Sequence, residues 1–139
     1  MTIDWAELDK AGQVVVPARP VNGLWTLARG FIVGPQILRL EATGRWNPVP
    51  DLRECECGPD GLRHWAFGRE RLLTKRAPLG ALIGRFGGSN IAADDSDIFL
   101  VGTVAVLHIE KTVGPLYLTI NDAAEGFDDN LGEVIVTMS

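Results

Sequence analysis

Thirteen residues near the end of the 139-residue chain, Asn121-Asp122-Ala123-Ala124-Glu125-Gly126-Phe127-Asp128-Asp129-Asn130-Leu131-Gly132-Glu133, hold five acids and no base. Carboxylates crowded this tightly repel one another unless a cation neutralises them. Asp122, Asp129 and Asn130 offer side-chain oxygens from two points of one loop, and a backbone carbonyl would add another. Calcium, a hard cation, takes such a set of oxygens, so the segment reads as a calcium loop. Coordination positions left open could be filled by vicinal hydroxyls of a sugar, and Asp122 and Asp129 can accept hydrogen bonds from those hydroxyls. An EF-hand does not fit. With Asp122 at its first position Glu133 falls at the twelfth, but Ala124 and Gly126 occupy the third and fifth, and Phe127 stands where glycine is required.

The elements that must position this loop read as strands. Leu116–Ile120 precedes it and Val134–Met138 follows it. Earlier strand-like runs are residues 13–16, interrupted by Pro17 and Pro20, then Leu24–Ile32 and Gln36–Ala42, separated by Gly34-Pro35. In the last of these Ile37, Leu38 and Leu40 alternate loosely with Gln36, Arg39 and Glu41, as a half-buried strand does. Leu79–Phe86, Ile98–Val101 and Thr103–Ile109 complete the set, roughly eight strands in all. Thr43–Gly61, punctuated by Gly44, Pro48, Pro50, Gly58, Pro59 and Gly61, reads as one long loop. Leu62–Arg76 suggests a short surface helix or turn whose basic residues form a solvated face, with Trp65 and Phe67 anchoring it to the core. The expectation is an all-β, single-domain β-sandwich of antiparallel strands spanning 1–139.

Composition agrees. A hydrophobic fraction of 46% and a charged fraction of 22% belong to a globular chain, and 16 Gly with 8 Pro favour short strands and tight turns. The net charge of −5 argues against nucleic-acid binding, which needs a basic footprint. Met1-Thr2-Ile3-Asp4-Trp5-Ala6-Glu7 has neither the basic nor the apolar region of a signal peptide, and no run approaches membrane-spanning length. No membrane insertion is expected, and the protein is expected to be cytoplasmic or released without a signal peptide. Cys55 and Cys57 are too close to close an ordinary disulfide and too few for a zinc site.

Other motifs carry less. The glycines of Leu79–Phe86 match neither phosphate-binding fingerprint. Asp94-Asp95-Ser96-Asp97 is a second acidic cluster, best taken as a solvated turn. His108, in an apolar run, reads as a strand residue satisfied by a neighbour.

Three pieces of the second half resemble the calcium-dependent galactose-binding bacterial lectins of the PA-IL type. They are Pro78-Leu79-Gly80-Ala81-Leu82-Ile83-Gly84-Arg85-Phe86-Gly87, Phe99-Leu100-Val101-Gly102, and Leu116–Asp122 through Asp129-Asn130-Leu131-Gly132 to Val134-Ile135-Val136. A thinner match adds Gln36–Ala42 and Gly44-Arg45-Trp46-Asn47-Pro48-Val49-Pro50. The resemblance implies a jelly-roll β-sandwich and a calcium ion held by Asp122, the Gly126 carbonyl, Asp129 and Asn130. A further carbonyl would come from Pro48, or from Trp46 two residues earlier. It also implies galactose contacts from Asp122, Ala123 and Asp129. Phe67 and Glu70 stand where the family places its sugar-contacting His and Gln, with His64 nearby as a substitute.

Three functions compete. The first is a calcium-dependent lectin for galactose or related sugars, assembled as a homo-oligomer because multivalency suits weak sites. The second is a non-catalytic structural or interaction sandwich in which calcium only orders the 122–130 loop. An enzyme is the third; Asp128 and Asp129 imitate a glycosidase dyad, but no nucleophile elbow or H-E-x-x-H accompanies them, so no enzymatic activity is expected.

Overall fold

The computed structural model describes residues 12–65, 69–92 and 97–139. Among these residues nine strands form two sheets. The strands are β1 (Gln13–Pro17), β2 (Thr26–Arg29), β3 (Gln36–Asn47), β4 (Asp60–Leu62), β5 (Leu79–Phe86), β6 (Ile98–Leu100), β7 (Val104–Ile109), β8 (Leu116–Ile120) and β9 (Leu131–Met138). One sheet has the order β1-β9-β3-β7, the other β2-β8-β5-β4, with β6 beside β4 on the same edge of β5. Every pairing is antiparallel. This is a β-sandwich, as the spacing of turns and strands predicts. Among the described residues no helix is long and apolar enough to cross a membrane.

Alternation makes the core. In β9 Val134, Val136 and Met138 are buried while Glu133, Ile135 and Thr137 face outward, and in β3 Leu38, Leu40, Ala42 and Trp46 turn in. Leu82, Leu116, Leu118 and Ile120 of the second sheet meet them from the other side.

The sequence departs from the observed boundaries where glycine or short length misleads. β3 runs on to Asn47, so residues 43–47 are strand rather than loop. Gly44 does not break the strand; it has φ +123°, and a Cβ there would lie 2.6 Å from the Glu133 carbonyl oxygen. Only glycine lets β9 approach this closely. The loop that follows also contains β4, three residues long with Asp60 and Gly61 in it, too polar and brief to show as a strand. Leu24–Ile32 narrows to β2, because Trp25 leaves the ladder to stack near Arg85 and donate its indole N–H to the Ala92 carbonyl at 2.7 Å. Leu62–Arg76 begins on the last residue of β4 and, among its described residues, also forms a 3-10 turn, Arg69–Arg71, and a β-bridge from Leu72 to Ala123, with Trp65 half-buried. Phe67, residues 94–96 of the second acidic cluster, and the first seven residues lie outside the described residues. His108 is exposed on β7, opposite Ile37. Cys55 and Cys57 are free thiols buried in the fold.

Candidate functional site

The acidic segment leaves the sandwich where β8 ends. Asn121, fully buried, is the first residue beyond β8, and its N–H still reaches the Ala81 carbonyl at 2.8 Å while its own carbonyl accepts the Gly80 N–H at 2.8 Å. Its side chain accepts the Thr74 N–H at 3.1 Å and donates Nδ2–H groups to the carbonyls of Thr74 (3.0 Å), Ala77 (2.9 Å) and Pro78 (3.1 Å). One amide thus fastens the 74–78 strip beside the loop. Two residues earlier the strip bonds to the loop directly: Leu73 N–H donates to the Asp122 carbonyl at 2.9 Å, and Leu72 bridges Ala123.

Asp122 is only 7% exposed. Its Oδ1 accepts the Ala123 N–H at 2.7 Å, and its Oδ2 is buried with no hydrogen-bond partner. Burial pushes its carboxyl up to about 6 from the ordinary 3.8. The Asn130 amide and the Ala123 N–H oppose the rise, while the charges of Asp129 and Glu125 add to it.

The chain then makes a 3-10 turn, Ala124–Asp129, pinned to the core by buried Phe127. Gly126 lies within this turn against the carboxylate, so that a Cβ on it would sit 3.1 Å from Asp122 Oδ1. At the end of the turn Asn130, 2% exposed, donates Nδ2–H to the Ala18 carbonyl at 3.0 Å. The same amide also steadies the Asp122 carboxylate, while its Oδ1 is buried without a hydrogen-bond partner. The remaining acids are less confined: Asp128 and Asp129 are exposed, and Glu125 meets Arg71 at 3.7 Å.

Asp122, Ala123, Gly126 and Asn130 therefore converge around one turn, with Asp129 on its exposed side. Pro48 is buried one layer away; its ring is 3.6 Å from the position of a Gly80 Cβ, and Gly80 in turn bonds Asn121. Glu70 is exposed on the Arg69–Arg71 turn, just before the residues that pair with the loop. His64 lies elsewhere, in a groove of about 480 Å³ with Glu54, Asp60 and Trp65. That groove flanks β4, on the side of β5 opposite Asn121. Among the described residues no three His, Cys, Asp or Glu side chains gather to hold a metal. A cation here would depend on amide and backbone oxygens beside one carboxylate, donors that calcium accepts and zinc does not favour. The two orphaned oxygens, Asp122 Oδ2 and Asn130 Oδ1, fit that requirement, since a buried acceptor left bare is costly.

Sequence reasoning missed Asn121 as the organiser of the site. Its partners are backbone groups more than forty residues away, for which a sequence carries no local signal.

The fold is similar to that of the N-terminal domain of EclA, described as a PllA-like lectin, with a TM-score of 0.63 and 20% sequence identity over 91% of this chain and 92% of that one. At 20% identity the likeness is one of fold, a two-sheet β-sandwich. No family profile matches the chain, and no curated protein matches it. In this β-sandwich the candidate site occupies the turn between β8 and β9.

Proposed function

We propose that this chain is a calcium-dependent carbohydrate-binding protein whose ligand is galactose or a related sugar. The observation that carries the reading is the pair of buried, unpartnered oxygens, Asp122 Oδ2 and Asn130 Oδ1, at the two ends of one 3-10 turn. Asp122, Asn130 and the Gly126 carbonyl would hold the ion, with Asp129 closing the exposed side and Pro48 supplying a carbonyl from the neighbouring layer. Bound calcium would supply open coordination positions for vicinal sugar hydroxyls. Asp129 and Glu70, both exposed, would accept hydrogen bonds from the sugar's remaining hydroxyls. The likeness to a lectin domain and the PA-IL-type residue pattern of the second half support the same reading.

A second reading is favoured by how recessed the donors are, 7% exposed for Asp122 and 2% for Asn130. Here calcium orders the loop and meets no sugar. Calorimetric titration separates the two. Calcium titrated into chelator-treated protein should bind, and galactose titrated into the calcium-loaded protein should then bind and be released by chelator. Calcium binding without any response to galactose or a glycan array leaves the second reading. No calcium binding defeats both.

A further inference from the structure

The β1-β9-β3-β7 sheet ends in β7, whose only strand partner among the described residues is β3. The direction of its outer backbone groups follows from β3. Arg39 N–H donates to the Ser139 carbonyl and Ser139 N–H to the Arg39 carbonyl, each at 2.9 Å, so Arg39 addresses the β9 side. Successive residues of an antiparallel strand address opposite neighbours. Leu38 and Leu40 therefore turn to β7, where they pair with Leu107 and Ala105. Val104, Val106 and His108 are left with their N–H and C=O groups directed to the open side.

Natural sheets blunt such an edge with charge, proline, a bulge or short length. The other edges do so: β1 ends in Pro17, β2 is four residues long with a register shift between Leu27 and Arg29, and β4 and β6 are three residues each. β7 has six residues, Val104-Ala105-Val106-Leu107-His108-Ile109, with no proline, glycine, lysine, arginine or acid and an unbroken register to β3. Its outward side chains continue the apolar character, Val104 and Val106 being 49% exposed beside Ile37 at 61%.

We propose that β7 pairs antiparallel with β7 of a second copy of this chain, about a two-fold axis through Val106, joining two four-stranded sheets into one of eight. The strand is self-complementary in that register. Val106 exchanges two hydrogen bonds with Val106 of the second copy, and each Val104 exchanges two with the opposing His108. All the outward backbone groups of these three residues are then satisfied. On the inner face Ala105 opposes Leu107, small against large, and both are only half-buried in a single copy. No like charges meet at the seam. Arg39 and Glu41, the nearest charged residues on β3, already pair with each other at 2.6 Å. A seam this short buries less than a standard interface, so association is concentration-dependent. The two-fold also turns the two Asp122 loops to opposite ends of the dimer, whatever they bind.

Sedimentation equilibrium through the micromolar range tests this on the full chain. The wild type should associate to an even multiple of 15.1 kDa at the upper concentrations. Val106→Lys, which sets two ammonium groups face to face at the axis, should halve that mass while leaving the circular dichroism spectrum and melting temperature of the dilute protein unchanged. Val106→Pro removes an N–H that β3 does not use, and should halve the mass as well. Val15→Lys, on the opposite edge strand, should leave the wild-type mass intact. A wild type that stays at single-chain mass overturns the proposal. So does either Val106 variant retaining the wild-type mass, or Val15→Lys dissociating the protein equally.

Discussion

Asn121 and Thr74 hold each other reciprocally: the Thr74 N–H reaches Asn121 Oδ1 at 3.1 Å, and Asn121 Nδ2 returns to the Thr74 carbonyl at 3.0 Å. Both residues are buried, so neither bond can be replaced by water at no cost. Asn121→Ala would orphan the Thr74 N–H and several carbonyls together. We expect a loss of roughly 3–5 kcal/mol, seen as a lower urea midpoint with an unchanged slope. Calcium affinity should fall with it, because the strip that backs Asp122 loses its tie.

The Asp122 carboxyl gives a pH signature. Its pKa in the folded chain is raised by burial to about 6 from 3.8, so the folded state holds the proton more tightly than the unfolded one. Stability of the metal-free protein should therefore decline as pH rises between about 4 and 6 and level off above, by about 3 kcal/mol for this group. Asp122→Asn should remove the decline and make the metal-free protein more stable at neutral pH. Calcium, which needs the ionised carboxylate, should raise the wild-type melting temperature above pH 6 and leave that of Asp122→Asn unmoved. Thermal scans across pH, with calcium and with chelator, read both effects.

Gly126 is packed for the carboxylate rather than for the turn alone. A Cβ at 3.1 Å from Asp122 Oδ1 is tighter than an ordinary contact, so Gly126→Ala must displace the carboxyl or the turn by a few tenths of an ångström. Calorimetry should show calcium affinity weakened about tenfold, equivalent to about 1.4 kcal/mol. The metal-free melting temperature should change little, since Gly126 is only half-buried.

The separation of Glu70 from His64 predicts unequal effects on sugar. Glu70 precedes the strip that pairs with Asp122 and Ala123, whereas His64 lines the groove beside β4. With calcium present, Glu70→Ala should lower galactose affinity about tenfold, the value of a hydrogen bond to a charged group. His64→Ala should leave it within about twofold. Equal losses from both would show that the two residues share one ligand.

The strands that alternate or run apolar without interruption were legible: β5, β8 and the end of β9 fall where their residues place them. Gly44 misled because a glycine that breaks a ladder and one that admits a close strand look alike until the opposing Glu133 carbonyl is known. β4 was hidden by its length, and Leu62–Arg76 by having no period at all. Within the site, the acids announced themselves, but their inequality did not. Asp122 is buried and strained toward protonation while Asp128 and Asp129 are solvated, a difference set by the 72–78 strip and by Phe127 drawing the turn into the core.

The pairing of Leu72 and Leu73 with Ala123 and Asp122 has a practical consequence for redesign. The strip is bolted to the loop by backbone and by Asn121, and ahead of Leu72 the exposed Arg71–Glu125 pair at 3.7 Å adds a weaker link. Glu70 and Arg71, both exposed, can then be randomised as a display surface next to the turn at the cost of one exposed ion pair, with the backbone tie to Asp122 and Ala123 kept. A library built there would vary what the site meets while keeping the framework that presents it.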